Sequence, residues 1–171
     1  PARFLQLRGQ SAVVEEDGAG IMVNDANYDV LSLFVEMEGR MDRVLKLSVT
    51  AASGMDGRAC IGGIVQIVKE GKVLGDKSHN FAWNRPLELG RFTEHSFLIA
   101  LPEALQEQGD ALFLLLYRSN QAGTLKLRHL RLEDAPAEEV AAIRQKQAVR
   151  AGGRAGVTEA LPAPFPHTLW P

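Results

Sequence analysis

Three aromatic residues in this chain stand beside clusters of hydrogen-bonding side chains. Trp83 lies among Asn80, Asn84 and Arg85; Tyr28 follows Asn24-Asp25-Ala26-Asn27; Tyr117 precedes Arg118-Ser119-Asn120. An aromatic ring offers a flat apolar plate, and neighbouring amide and guanidinium groups add directional hydrogen bonds. A sugar ring calls for both, because one of its faces is lined by C–H groups and its rim by hydroxyls. Aromatics make up only 6% of the chain, so those set among polar residues stand out. The candidate site is therefore Trp83 and Tyr28 as stacking plates, with Asn80, Arg118 and Asn120 bonding hydroxyls and Arg118 selecting any carboxylate. The competing reading is packing, with Trp83 capping one end of the fold and Tyr28 and Tyr117 as core residues at strand ends.

Patterns for catalysis are mostly absent from the sequence. There is no Gly-rich phosphate loop, no G-x-S-x-G elbow and no H-E-x-x-H pattern. His79, His95, His129 and His167 are scattered, with no pair at metal-ligand spacing, and each reads as structural. Strand pairing is the one route that would unite His95 and His129. Adjacent carboxylates occur as Glu15-Glu16-Asp17 and Glu133-Asp134, both in turns where solvation accounts for them. The single cysteine, Cys60, has no intramolecular disulfide partner and reads as a small core hydrophobe. Pro1 has the chemistry of an N-terminal base, as in tautomerases, but the short β-α-β rhythm of those proteins is missing.

A net charge of −2 with 23% charged residues gives no basic stripe for nucleic acid or an anionic membrane. Lys126, Arg128 and Arg131 alternate with leucines, as on the wet face of a strand. No apolar run approaches the roughly 18 residues of a membrane span. No signal peptide is evident in these residues, and a chain that starts at Pro1 leaves the compartment open.

The elements that must position the candidate site read as strands. At 171 residues and 46% apolar content, the chain is long enough to bury a core of its own. Segments 4–7, 11–14, 21–23, 28–36, 44–51, 59–69, 72–74, 91–101, 111–117 and 124–132 have strand patterning and turns between them. In the fifth, Leu45, Leu47, Val49 and Ala51 take one face while Lys46, Ser48 and Thr50 take the other. Gly62-Gly63 inside a strand signals a bulge or a close backbone approach. In the last strand Leu125 and Leu127 differ in parity from Leu130 and Leu132, which places a bulge near Arg128-His129. The polar stretch 75–89, which holds Asn80 and Trp83, reads as the longest loop, and 102–106 as a helical turn.

Composition changes after Glu133. Pro136, Glu138 and Glu139 open a helix expected over 137–150, stopped at Gly152-Gly153, with Val140, Ile143 and Ala148 as a thin docking stripe. Residues 151–171 read as a linker or extended arm with the apolar tip Phe165-Pro-His-Thr-Leu-Trp-Pro171. The organisation is thus a 1–134 β-sandwich module, a 135–150 helix and a 151–171 arm.

From Trp83 to Asp134, Phe97-Leu-Ile-Ala-Leu-Pro102, the apolar run Leu112–Tyr117 and the Gly-led strand Gly123–Leu132 follow one another. This order resembles the last half of jelly-roll carbohydrate-binding modules of the galactose-binding-like type. The resemblance covers under a third of the chain and implies a jelly roll that binds a saccharide on a sheet face or rim loop. It also implies a structural calcium, but Arg128 or His129 stands where the family carries an aspartate, and no oxygen set for calcium can be assembled.

The expectation is an all-β antiparallel sandwich, a jelly roll with a C-terminal helix and tail. It would act without cofactor as a non-catalytic carbohydrate-binding module, an accessory domain of a larger polysaccharide-handling protein. The alternatives are an assembly module that reaches a sister subunit or a downstream domain through residues 136–171, and a jelly-roll glycan-active enzyme domain.

Overall fold

The computed structural model of the chain describes residues 2–8, 13–14, 20–23, 30–120 and 122–153. In chain order the elements are β1 (Ala2–Arg8), β2 (Val13–Val14), β3 (Gly20–Val23), β4 (Val30–Glu36), β5 (Leu45–Ser53) and β6 (Cys60–Lys69). They continue as β7 (Lys72–Pro86), β8 (Thr93–Ile99), α1 (Glu103–Gln106), β9 (Ala111–Arg118), β10 (Leu125–Asp134) and α2 (Ala137–Gly153). Two five-stranded sheets form, ordered β1-β4-β9-β6-β7 and β2-β3-β10-β5-β8, and every strand pair within them is antiparallel. The fold is an all-β antiparallel sandwich of the jelly-roll kind, with a helix after its last strand.

Period-two alternation dictates which side chains meet between the sheets. From the first sheet Leu33, Ile61, Leu112, Leu114 and Leu116 are buried to 2% exposure or less. Leu45, Leu47, Val49, Leu125 and Leu127 meet them from the second, as the parity of β5 predicts. Each fully buried Leu or Ile contributes about 1.5–3 kcal/mol relative to exposure.

The expected bulge in β10 is present. Its pairing with β5 shifts between Arg128 and Arg131, and His129 takes φ +49. The extra residue lets Leu130 and Leu132 join Leu125 and Leu127 against the core.

One expectation is corrected. The polar stretch 75–89 is no loop, since β7 runs unbroken to Pro86 along the edge of the first sheet. An edge strand bonds on one side only, so it accepts polar residues and irregular pairing that a central strand would reject. Register shifts at three places along β6 absorb the mismatch, and Asn84 has φ +45.

Helix α2 starts as expected and runs on through Gly152-Gly153 instead of stopping before them. Its docking depends on polar contacts more than on the apolar stripe. Lys46 Nζ donates to Glu139 Oε1 at 2.7 Å, Arg144 Nη1 to the Leu101 carbonyl at 3.3 Å and Gln147 Nε2 to the Ala100 carbonyl at 3.3 Å. Val140 and Ile143 are half-buried, but Ala148 is exposed. The face of β5 expected to be wet is therefore partly covered, and Ser48 is buried.

Candidate functional site

The outer face of the first sheet, turned away from the core, is unusually apolar. Phe34 of β4, Phe113, Leu115 and Tyr117 of β9, and Ile64 of β6 alternate with core residues and are half-buried on this face. Gln66 and Asn80 add amide groups at pairing positions on the same face, whereas Ser32 is buried there.

Two adjacent glycines of β6 organise this face and the one behind it. A Cβ on Gly62 would stand 2.5 Å from Tyr117 Cζ and 2.8 Å from its Oη, so the phenol ring lies over the Gly62 backbone. Behind it, a Cβ on Gly63 would stand 2.8 Å from Phe81 Cδ2 and closer still to two other ring carbons. Phe81 packs against the core and meets Phe97 of the second sheet at 5.9 Å between ring centroids, tilted by 57°. The pair therefore holds a ring on each side of one strand, Tyr117 outside and Phe81 inside. Both expected meanings of Gly62-Gly63, bulge and close approach, are found here.

Trp83 completes the outer arrangement. Ala82 belongs to the core, so alternation turns Trp83 to the outer face, where it is 53% exposed. The register shift between Ile61 and Gly63 leaves Trp83 and Asn84 opposite Gly62. Tyr117 on β9 and Trp83 on β7 thus flank the glycine from two strand spacings apart, about 10 Å between backbones. Burial pushes the Tyr117 phenol up from its ordinary 10.0, so it stays a neutral donor and acceptor.

The remaining expected site residues have different surroundings. Asn80 is exposed on β7, paired with Ile64. Asn120 Oδ1 accepts from the Cys60 N–H at 2.8 Å, and its Nδ2 donates to the Arg58 carbonyl at 3.0 Å. Arg118 Nη1 donates to the Gly123 carbonyl within the same turn. These bonds lock the 118–124 turn onto the 53–60 loop, where Ser53 Oγ accepts from the Ala59 N–H at 2.8 Å and Gly57 packs against Gly123. Asn120 and Arg118 therefore have holding tasks in the loops at one end of the sandwich. Tyr28 lies outside the described residues.

In the same loops, Asp56 Oδ2 accepts from Thr124 Oγ1 at 2.7 Å and its Oδ1 from the Thr124 N–H at 3.0 Å. Those two bonds hold its carboxyl below the usual 3.8. Arg43 Nε, at 2.8 Å, does the same for Asp134.

A structural calcium does not fit the last strand. Arg128, one of the two residues at the position in question, carries its guanidinium 4.1 Å from the centroid of the Phe92 ring, and His129 sits on the bulge. Neither supplies the oxygen ligands calcium requires. Among the described residues, no three or more His, Cys, Asp or Glu side chains are grouped to hold a metal. Also among them, no helix is long and apolar enough to cross a membrane.

No family model and no curated protein matches the chain. Solved structures match it at low similarity. One is the CBM22-1 xylan-binding domain of Xyn10C from Paenibacillus barcinonensis, at 11% identity and TM-score 0.43, covering 69% of this chain and 81% of that one. Another holds the CBM22-1 and GH10 modules of Xyn10B from Clostridium thermocellum, at 13% identity and TM-score 0.46, covering 80% of this chain but 25% of that one. A third, infectious bursal disease virus Gt strain, reaches 10% identity and TM-score 0.45 over 77% of this chain and 31% of that one. Several of these structures are named as carbohydrate-binding or sugar-binding, and others are not. With every one of these TM-scores below 0.5, the likenesses carry no argument about this chain, and its own residues must.

Proposed function

We propose that this chain is a non-catalytic module that binds a saccharide on the outer face of its first sheet. What supports the reading most is the placing of Trp83, 53% exposed, across Gly62 from a Tyr117 ring laid over the strand backbone. A tryptophan left half exposed presents a plate to a ligand, and two neighbouring plates on a pleated surface suit consecutive C–H faces of a glycan. Asn80, Gln66 and the Tyr117 hydroxyl supply hydrogen bonds to ring hydroxyls beside the plates. Tyr117 takes the plate role alongside Trp83, with Arg118 and Asn120 shaping the adjoining loop rather than meeting the sugar. In this reading residues 1–134 are the binding unit, attached to a larger polysaccharide-handling protein.

Affinity electrophoresis in gels containing neutral polysaccharides tests it. Wild type is retarded, and Trp83→Ala loses about tenfold to a hundredfold in affinity, roughly 1.4–2.8 kcal/mol, with an unchanged melting temperature. A wild type that no polysaccharide retards, or retardation that survives in Trp83→Ala, rejects the proposal.

The assembly reading has one observation in its favour, Val149 of α2 at 69% exposure. Light scattering of wild type and Val149→Glu separates the two readings, since a monomer in both removes the assembly role.

A further inference from the structure

A second depression, unconnected with the aromatic face, lies on the outer side of the second sheet. It measures about 430 Å³ and is lined by Ser48, Thr50, Glu94, His129 and Arg131 together with Val49 and Leu130. That volume is within the range of about 300–1,000 Å³ typical of small-molecule sites. The β10 bulge forms one wall of it. One extra residue between Arg128 and Arg131, with His129 at φ +49, interrupts the pairing with β5 there.

Five of its lining residues are polar or charged, Val49 and Leu130 are apolar, and no Phe, Tyr or Trp is among them. Ser48 forms the buried floor, its Oγ 3.1 Å from that of Ser96 on β8. Glu94 stands on the β8 side, paired through Thr50, and Arg131 on the β10 side, paired with Ser48. The side chains of Thr50, Glu94 and His129 have no hydrogen-bond or ion-pair partner among the described residues. Arg131 has only Glu133, 3.4 Å away on a side chain that is itself exposed. Unused donors and acceptors thus converge on one concave surface.

We infer that this groove is a second binding site, for a neutral, hydroxyl-rich small molecule of the mono- or disaccharide class. The opposite charges of Glu94 and Arg131 narrow the class, since an ion of either sign meets one of them attractively and the other repulsively. A hydroxyl avoids both penalties, because it donates to the carboxylate and accepts from the guanidinium. Without a stacking surface the affinity rests on charge-assisted hydrogen bonds and is weak, about millimolar. The site lies on the opposite sheet from Trp83 and stands whether or not the aromatic face binds a glycan.

Amide chemical-shift titration of the isotope-labelled protein tests this, with D-glucose, D-galactose and D-xylose as probes and sodium D-glucuronate, D-glucosamine and L-serine as charged comparators. Neutral sugars are expected to shift amides of 48–50, 94–96 and 129–131 in wild type and in Trp83→Ala alike. Glu94→Ala and Arg131→Ala, both exposed positions, each weaken those shifts about tenfold or more while the remaining spectrum stays in place. Shifts at 62–64, 83 and 115–117 that vanish in Trp83→Ala belong to the aromatic face and report on it separately. The inference is overturned if no neutral sugar moves the groove amides, if the two alanine variants bind as wild type does, or if a charged comparator binds more tightly than the neutral sugars.

Discussion

Replacing either glycine of the β6 pair with alanine adds the same methyl group to opposite sides of one strand, and the structure predicts unequal consequences. In Gly63→Ala the new carbon stands 2.8 Å or less from three atoms of the Phe81 ring. Apolar carbons rest at about 3.5–4.0 Å, so the ring must move by roughly an ångström. Phe81 packs against the core and against Phe97, where space for that movement is lacking. Overpacking of this kind costs about 1–3 kcal/mol, and a chain of this size loses about 2–4 °C per kcal/mol, so melting should fall by roughly 2–12 °C. In Gly62→Ala the clash is with Tyr117, half-buried on the outer face, where its ring can swing away from the strand without entering the core. The loss of stability should be smaller, under about 1 kcal/mol, because exposed rearrangement leaves the core intact. Polysaccharide retention, however, should drop as in Trp83→Ala, because the plate has left the surface. Thermal melts and urea titrations of both variants measure this. A third variant, Gly63→Ala with Phe81→Leu, completes the test, since shrinking the ring should recover about 0.5–3 kcal/mol of coupling. If Gly63→Ala melts with wild type, if Gly62→Ala is the more damaging, or if the double variant is merely additive, the assignment of the two rings to the two glycines fails.

Other outcomes follow from single contacts. Asn120→Ala strips the Cys60 N–H and Arg58 carbonyl of their partner and should cost about 1–3 kcal/mol in urea unfolding; a value near zero would show that water replaces the amide. Leu114→Ala, at 0% exposure between the sheets, should cost about 2–5 kcal/mol, and a smaller loss would mean that the core collapses around the cavity. His95 is half-buried, and its imidazole is held below its ordinary 6.5 first by burial and then by the Arg85 charge. Below pH 6.5 the unfolded chain takes up a proton that the folded one resists until its own lower pKa is reached. Stability should therefore fall as pH drops through that window and level off beneath it. His95→Gln should flatten this part of the melting profile, and an unchanged slope would place the titration elsewhere.

What the sequence determined was whatever depends on neighbours along the chain. The parity of Leu45, Leu47, Val49 and Ala51 identified their buried face, because a strand turns alternate side chains to opposite sides. The parity break in β10 likewise required a bulge near Arg128-His129, and Pro136 with its following glutamates marked the start of α2. Only tertiary structure decided the rest. β7 reads as a loop because its hydrogen bonds go to β6 on one side alone, which relaxes the local pattern by which strands are recognised. Asn120 reads as a ligand group because nothing local shows that Arg58 and Cys60 will come within its reach. Tyr117 and Trp83 share a face across Gly62 through strand order, a matter of which distant segments pair once the core has formed.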